Sequence, residues 1–173
     1  MKKTIKLNST ILWIVIVGFV ADIVSKELIT STIPLNQSVD VIADFFKLTY
    51  IFNSGVAFGM FQNIPILLLV INLCVLLGIV WFFKHVIFTS HSDSKTLTWA
   101  VGMILSGAFG NNLDRIRFGS VRDFLDFDFP DFIMDRWPVF NVADSLICVG
   151  ITLILYYSFF IEHKIKQRTG GGE

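Results

Sequence analysis

Two aspartates carry the strongest chemical signal in this sequence, because each stands where a carboxylate is costly. Asp123 lies in the stretch Val-Arg-Asp-Phe-Leu-Asp, and Asp144 lies inside an otherwise apolar run over residues 139–161. An ionisable group inside a membrane is unfavourable unless it is paired, protonated or hydrated, so such a group is a candidate for function. Two acids that meet in one site favour the hypothesis of an aspartyl dyad.

The segments that would position these acids indicate a membrane protein. Of the 173 residues, 54% are hydrophobic and 16% are charged, and the mean hydropathy of +0.68 is too high for a small soluble domain. Four segments are long and apolar enough to cross the roughly 30 Å hydrocarbon core as helices, namely residues 11–29, 64–83, 97–113 and 139–161. We therefore expect residues 1–173 to form one integral membrane domain, mainly α, with four transmembrane helices.

The distribution of basic residues predicts how these spans are oriented. Lysines and arginines precede the first span, occupy the loop over residues 84–96 and follow the fourth span. The positive-inside rule places these three regions in the cytoplasm, so both termini are expected there. A secretory signal peptide is an alternative interpretation of the first span, but its length and its charged Asp22 and Lys26 favour a retained helix.

The segment between the first two spans, residues 34–63, carries the alternating pattern of a strand. From Phe46 to Phe52 every second residue is aromatic or leucine, and a period of two is typical of a β-strand. We expect a small β-sheet at the outer membrane surface. Aromatic rings suit the membrane interface, and both a plain anchoring role and a role in clamping a peptide remain open.

The second outer region, a loop over residues 115–138, is acidic and rich in phenylalanine. Its alternation predicts acids that face water and phenylalanines that contact lipid. The acids expected to be solvated are Asp126, Asp128, Asp131 and Asp135. Asp123 differs from them only by position, so its assignment depends on its partner.

That partner, Asp144, is expected to be shallow in the membrane. It follows Phe140 by about one helical turn, which places it roughly 6 Å below the start of the fourth span. Asn141 lies three residues earlier, on the same helical face, and can donate a hydrogen bond there. A structural ion pair between Asp144 and Arg115 is the alternative interpretation.

The third span combines close packing with a polar end. Gly102, Ser106 and Gly110 recur at four-residue steps, a ridge of small residues that permits another helix to approach closely. The polar end contains Gly107, Asn111, Asp114 and Arg115 at the expected level of Asp144. Packing alone does not require amides and charges there, so we expect them to position a water and two carboxylates.

Five ordered motifs extend these observations over the predicted spans. They are Asp22-x-x-x-Lys26, Asn53-Ser-Gly55-Val-Ala-Phe-Gly59, Gly107-Ala-Phe-Gly110-Asn111-x-x-Asp114-Arg115, Val121-Arg-Asp123-Phe124 and Phe140-Asn141-Val-Ala143-Asp144. Their order and placement closely resemble those of the lipoprotein signal peptidases, also called signal peptidase II. The chain departs from the family in the acidic stretch over residues 126–135, which leaves the conformation of that loop and the substrate preference open.

The resemblance implies an integral-membrane aspartyl endopeptidase of the bacterial cytoplasmic membrane. Such an enzyme is multi-pass, works near the outer leaflet and cuts prolipoproteins on the N-terminal side of the diacylglyceryl-modified cysteine. It implies Asp123 and Asp144 as the catalytic pair. The implied substrate-binding or supporting residues are Asn53, Gly55, Gly107, Asn111, Arg115 and Asn141, with structural or supporting roles for Asp22, Lys26 and Asp114.

The expected partners are diacylglyceryl-prolipoprotein signal peptides and membrane lipids, with no nucleic acid, metal or cofactor, and a monomer is expected. Two other functions remain open. In a Ser/Lys peptidase, Lys26 would activate one of the serines on the outer side, which are Ser25, Ser54, Ser120 and Ser145. In a proton-coupled transporter, Asp144 would carry protons.

Overall fold

The computed structural model describes residues 9–43, 45–55, 95–129 and 137–162, together with residues 70, 74, 77, 78 and 81. Long helices and a small sheet make up these residues. In chain order the elements are α1 (Ser9–Thr32), β1 (Ser38–Ile42), β2 (Phe46–Asn53), α2 (Lys95–Phe118), β3 (Val121–Phe127) and α3 (Val142–Tyr156). A wider π-helical segment, Tyr157–Glu162, continues α3.

Helices α1 and α2 contact each other through residues spaced four apart. The facing pairs are Ile14 with Gly102, Gly18 with Ser106, Asp22 with Gly110, and Lys26 with Asp114. The contacts advance in the same direction along both helices, so α1 and α2 run parallel. The predicted ridge of small residues on α2 is confirmed, and it permits the close approach of α1.

Helix α3 packs against α2 in the opposite direction. Gly107 of α2 lies against Ala143 at the start of α3, and Gly150 lies against Ala100 and Ile104. The C-terminal ends of α1 and α2 therefore meet the N-terminal end of α3. All three predicted polar motifs on these helices lie at that junction.

The distribution of polarity on α1 is inverted relative to a soluble protein. Its buried residues include Asp22 and Lys26, whereas Trp13 is 66% exposed and Val17 is 61% exposed. Apolar residues outside and charged residues inside are typical of helix bundles in membranes. Within the described residues, Val142–Ile161 is the one helix whose length and apolar composition alone suffice for a bilayer crossing.

The sheet is antiparallel, with the strand order β1-β2-β3. The strand predicted from the alternation around Tyr50 is confirmed as β2. In the pairing of β2 with β3, Ile51 lies opposite Asp123 and Asn53 lies opposite Val121. The sheet therefore places Asn53 diagonally across from Asp123.

One face of the sheet rests on the C-terminal end of α1. Tyr50 of β2 and Phe124 of β3 form a buried cluster with Ile29 and Ile33. Burial of such side chains contributes about 1.5–3 kcal/mol each, so this cluster is what holds the sheet against the helices. The position of β3, and hence of Asp123, follows from it.

The expectation of a solvated loop is wrong at Asp126. This residue lies in β3, is 2% exposed and accepts a hydrogen bond of 2.6 Å from the Thr49 hydroxyl of β2. Residues 121–127 form the strand that completes the sheet, and side chains on both of its faces are buried. Asp128 is exposed as expected, whereas Asp131 and Asp135 lie outside the described residues.

The bounds of α2 and α3 also differ from the predicted spans. Helix α2 continues beyond residue 113 and ends where Gly119 adopts a positive φ of 70°, with its N–H donating to the Arg115 carbonyl. Helix α3 begins at Val142 rather than at residue 139, because the residues before it pair with β3. Of the predicted second span only residues 70, 74, 77, 78 and 81 are described, each of them helical. The arrangement of four spans stays a prediction.

Candidate active site

A short β-bridge brings the two aspartates together. Leu125 of β3 and Phe140 exchange backbone hydrogen bonds in both directions, at 2.7 and 3.1 Å. Asp123 precedes Leu125 by two positions, and Asn141 directly follows Phe140. The N-terminal end of α3 is thereby held against the strand that carries Asp123.

Asn141 contacts both acids. Its Nδ2 donates to Asp123 Oδ1 at 2.6 Å, and its backbone N–H donates to Asp144 Oδ2 at 3.2 Å. Its Oδ1 in turn accepts from the Asp144 backbone N–H at 2.9 Å. This reciprocal arrangement is a capping box at the start of α3. The cap orients the Asp144 carboxyl and, through Asn141, fixes its position relative to Asp123.

The two remaining carboxyl oxygens also accept from amides. Asn53 Nδ2 donates to Asp123 Oδ2 at 2.9 Å, and Asn111 Nδ2 donates to Asp144 Oδ1 at 2.7 Å. The Gly55 backbone N–H holds the Asn53 amide in place by donating to its Oδ1 at 3.0 Å. Each of the four carboxyl oxygens therefore has a neutral N–H donor.

The surroundings of Asp123 favour its protonated form. The residue is 1% exposed. Burial and, secondly, the nearby Asp144 carboxylate raise the pKa of Asp123 to about 7, although hydrogen bonds from Asn53 and Asn141 act in the opposite direction. Two carboxyls so placed do not ionise together easily, so the pair retains one proton near neutral pH.

Asp22 and Lys26 tie α1 to the other two helices. Both side chains are fully buried and their charged groups lie 2.8 Å apart. The other oxygen of Asp22 accepts from the Ala143 backbone N–H at 2.9 Å. Because Ala143 lies in the first turn of α3, the carboxylate also faces the positive end of that helix.

Asp114 connects α2 to β3. It accepts from the Arg122 backbone N–H at 3.0 Å and pairs with the Arg122 guanidinium at 2.8 Å. Its carboxylate also lies 3.4 Å from Lys26 Nζ. Since Arg122 directly precedes Asp123, this ion pair fixes the strand at the position of the candidate acid.

Arg115 and Gly107 act at the edge of the site. The Arg115 guanidinium donates weakly to the Asn111 carbonyl at 3.4 Å and to the Gly55 carbonyl at 3.5 Å. A side chain at Gly107 would collide with the Ala143 carbonyl, so the glycine permits α3 to approach α2 closely. The proposed structural pair between Asp144 and Arg115 is not supported within the described residues, where the hydrogen-bond partners of the Asp144 carboxyl are Asn111 and Asn141.

A known protein family matches most of this chain. The family model of signal peptidase II, Peptidase_A8, matches residues 14–160, a range that includes all the site residues described above. The chain belongs to the signal peptidase II family.

Relatives of this signal peptidase II family member cover most of its length. A lipoprotein signal peptidase from Desulforapulum autotrophicum is 38% identical over 144 residues, which are 80% of this chain and 85% of the relative. One from Syntrophotalea carbinolica is 37% identical over 138 residues, covering 78% of this chain and 81% of the relative. A bacterial membrane enzyme solved in meso at 2.3 Å resolution is 28% identical, with a TM-score of 0.76 over 96% of this chain and 94% of that chain.

The residues expected from the resemblance to signal peptidase II form one connected network. Lys26 Nζ donates to Asn111 Oδ1 at 3.1 Å, which joins the ion pairs to the amides. With the contacts given above, the network contains Asp22, Lys26, Asn53, Gly55, Asn111, Asp114, Arg115, Asp123, Asn141 and Asp144, and Gly107 lies at the helix contact beside it. The network draws on α1, β2, α2, β3 and α3, so no single element contains the site.

Three participants were not predicted from the sequence. Arg122 is 2% exposed and pairs with Asp114 and, at 3.0 Å, with Glu27. Glu27 is the second of these participants. The third is the Ala143 backbone N–H, which donates to Asp22 Oδ1. For Arg122 a signal was present, because a buried strand that carries an arginine needs a carboxylate partner. Backbone donors leave no such signal.

Proposed function

We propose that the chain is an aspartyl endopeptidase that removes signal peptides from bacterial prolipoproteins, cutting on the N-terminal side of the diacylglyceryl-modified cysteine. Asp123 and Asp144 are the catalytic pair. One observation supports this above all: two carboxyls from separate elements share Asn141 and are bonded by amides rather than by cations. Family membership and the names of the relatives supply the substrate class.

The mechanism follows from the single proton of the pair. The ionised carboxylate takes a proton from a water held between the acids, and the oxygen of that water attacks the scissile carbonyl carbon. The protonated carboxyl donates to the carbonyl oxygen as the tetrahedral intermediate forms. When the intermediate collapses, the C–N bond breaks and a proton passes to the leaving amine. The pair returns to one shared proton, which belongs to both residues together.

The setting is a multi-pass protein of the cytoplasmic membrane with both termini in the cytoplasm. The parallel course of α1 and α2 supports this topology, because the chain between them must return across the same thickness. The network then lies near the outer leaflet, where α1 and α2 end and α3 begins. The proposed enzyme acts as a monomer.

The lipid on the substrate explains why the site is shallow. A diacylglyceryl group keeps the modified cysteine at the membrane boundary, because its acyl chains stay in the hydrocarbon. Asp144, in the first turn of α3, meets a peptide bond at that depth. The antiparallel sheet stands beside the pair and covers it from the aqueous side.

The contacts of Lys26 do not favour the Ser/Lys alternative. A lysine that acts as a general base must be neutral, whereas Lys26 Nζ lies 2.8 Å from Asp22 and 3.4 Å from Asp114. Both carboxylates are thus salt-bridge partners of Lys26, which is turned towards them rather than towards a serine hydroxyl. The Ser25 hydroxyl donates instead to the Asp22 carbonyl, and the Ser145 hydroxyl donates to the Asn141 carbonyl.

The test is cleavage of a synthetic signal peptide that bears diacylglyceryl-cysteine, with its unlipidated twin as control. Purified wild type, Asp123→Asn and Asp144→Asn are compared in detergent-lipid micelles, and the product is located by mass spectrometry. Wild type is expected to cut the lipidated peptide alone, directly before the cysteine, and each Asn variant is expected to lose at least about 10³-fold in kcat.

Three results would overturn parts of the proposal. Cleavage by folded Asn variants would make the aspartates structural. Loss of activity on Ser→Ala at positions 25, 54, 120 or 145, with survival of the Asn variants, would establish the Ser/Lys mechanism. A folded wild type that leaves the lipidated peptide intact would reject the peptidase and direct attention to proton transport by Asp144.

A further inference from the structure

The ammonium group of Lys26 is placed where it can control the catalytic amides. The side chain is fully buried. Its Nζ lies 2.8 Å from Asp22 Oδ2, 3.1 Å from Asn111 Oδ1 and 3.4 Å from Asp114 Oδ2. An ammonium has three donors and no acceptor. Two of its neighbours are the carboxylates of Asp22 and Asp114, and the third is the amide oxygen of Asn111, whose Nδ2 donates to Asp144.

This contact fixes which way the Asn111 amide points. Its Oδ1 accepts from Lys26 and, at 3.2 Å, from Asn141 Nδ2, while its Nδ2 donates to Asp144. If the amide were rotated by half a turn, its NH2 group would face the ammonium and its oxygen would face the carboxyl of Asp144. Both contacts would then be repulsive, because donor would meet donor and acceptor would meet acceptor.

The same oxygen links Lys26 to the other acid. Asn141 Nδ2 donates to Asn111 Oδ1 and to Asp123 Oδ1. With the Asn111 oxygen turned towards Lys26 and Asn141, the NH2 group of Asn141 is directed to Asp123. A single cation on α1 therefore sets the polarity of two amides, one for each carboxyl of the pair.

We propose that Lys26 is a positioning residue of the peptidase, which acts through Asn111 to keep N–H donors directed at both Asp144 and Asp123. This inference rests on the proposed function. It differs from a purely structural role, in which Lys26 only neutralises Asp22 and Asp114 and ties α1 to α2. Loss of a structural tie lowers turnover and the Tm together, whereas an incorrectly oriented amide lowers turnover in a variant that keeps the Tm of its control.

The decisive variant removes the charge pair without leaving a bare carboxylate. In the double variant Lys26→Met with Asp22→Asn the total charge is unchanged, and the new asparagine retains an oxygen for the Ala143 N–H. Asp22→Asn alone is the matched control, because it keeps Lys26 beside Asn111. Thermal unfolding of each purified variant reports whether the fold persists.

The proposal predicts a loss of kcat on the order of 10²-fold for the double variant relative to Asp22→Asn, the size typical of a misplaced catalytic group. The KM for the lipidated peptide should change by less than about threefold, because substrate binding is not altered. If the double variant has the same kcat as Asp22→Asn, Lys26 has only a structural role and the proposal is overturned.

A second comparison tests whether the effect passes through Asn111. In an Asn111→Ala background, the change from Asp22→Asn to the double variant should lower kcat by less than about twofold, because the amide to be oriented is gone. A full additional loss in that background would mean that Lys26 acts independently of Asn111. Cleavage by wild type and its loss in Asp123→Asn are measured in the same series, so failure of the peptidase assignment is distinguished from failure of this inference.

Discussion

Asp22 and Asp114 on the one hand, and Asp123 and Asp144 on the other, are neighbouring acids in one network with different partners. Asp22 pairs with Lys26, and Asp114 pairs with Arg122 and Lys26. The oxygens of Asp123 and Asp144 accept from amides and backbone N–H groups. Within the described residues, no cationic nitrogen lies at salt-bridge distance from this second pair.

The difference separates structural acids from reactive ones. Removing one partner of a buried ion pair is strongly destabilising, because it leaves an uncompensated buried charge. A carboxyl surrounded by neutral donors is oriented equally well but can still exchange a proton. Under the proposed function, ion pairs hold three elements together and amides hold the pair that has to change its charge.

The largest loss of stability is expected when one of the ion-paired acids is neutralised. Asp114→Asn removes the carboxylate that serves both Arg122 and Lys26, and leaving buried cations without it should cost about 3–5 kcal/mol of stability. Thermal unfolding in detergent measures the loss. Asp40→Asn is the control, because Asp40 is exposed and its salt bridge with Lys47 is long, at 3.8 Å. This substitution should leave the Tm unchanged. The comparison fails if Asp123→Asn, which meets no cation, lowers the Tm as much as Asp114→Asn.

A smaller loss is expected when the contact between α2 and α3 is forced apart. Gly107→Ala places a methyl group against the Ala143 carbonyl, and such overpacking typically costs about 1–3 kcal/mol. Because α3 carries Asp144, kcat should fall together with the Tm. Gly78→Ala provides the matched helical control, since none of the residues that the structure describes lies within 4 Å of a Cβ placed there. Equal behaviour of the two variants would show that the close approach at Gly107 is unimportant.

The smallest effect is expected in the dependence of kcat on pH, which tests whether Asp123 and Asp144 share a proton. The pKa of Asp123 is raised to about 7, so the pair keeps its proton below that pH and loses it as the pH rises through it. Turnover needs the protonated carboxyl, so kcat should decrease above about pH 7, approaching tenfold per unit. Measurement from pH 5 to pH 9, with the Tm recorded at each pH, separates this effect from unfolding. A flat profile up to pH 9 would contradict the proton-sharing pair.

Local patterns predicted those parts of the fold that depend on local interactions. The period of two around Tyr50 predicted β2, and the four-residue steps of Gly102, Ser106 and Gly110 predicted a close helix contact on α2, which α1 makes. Both patterns record which face of an element is covered. Residues 121–127 lack such a period, because Asp123 and Asp126 lie three positions apart and on opposite faces of β3, so the acidic stretch predicted an amphipathic loop instead.

The arrangement of the site depends on contacts that single segments do not reveal. Residue types and motif order predicted Asp123, Asp144 and Asn141, but not that Asn141 serves both acids at once. That follows from the bridge between Leu125 and Phe140, which joins segments distant in sequence. The pairing of Arg122 with Asp114 likewise depends on β3 lying beside α2. Long-range pairing of this kind is set by the whole fold rather than by local preference.

The bridge between Leu125 and Phe140 also has a consequence for biogenesis. Lys26 and Asp22 are synthesised early, Asp123 much later, and the segment that carries Asp144 is the last of them to leave the ribosome. The first part of the chain can settle in the bilayer, but the two acids remain apart until the final helix is inserted and its leading residues join the strand. Under the proposed function, we therefore expect a nascent chain to be inactive until the insertion of α3 is complete.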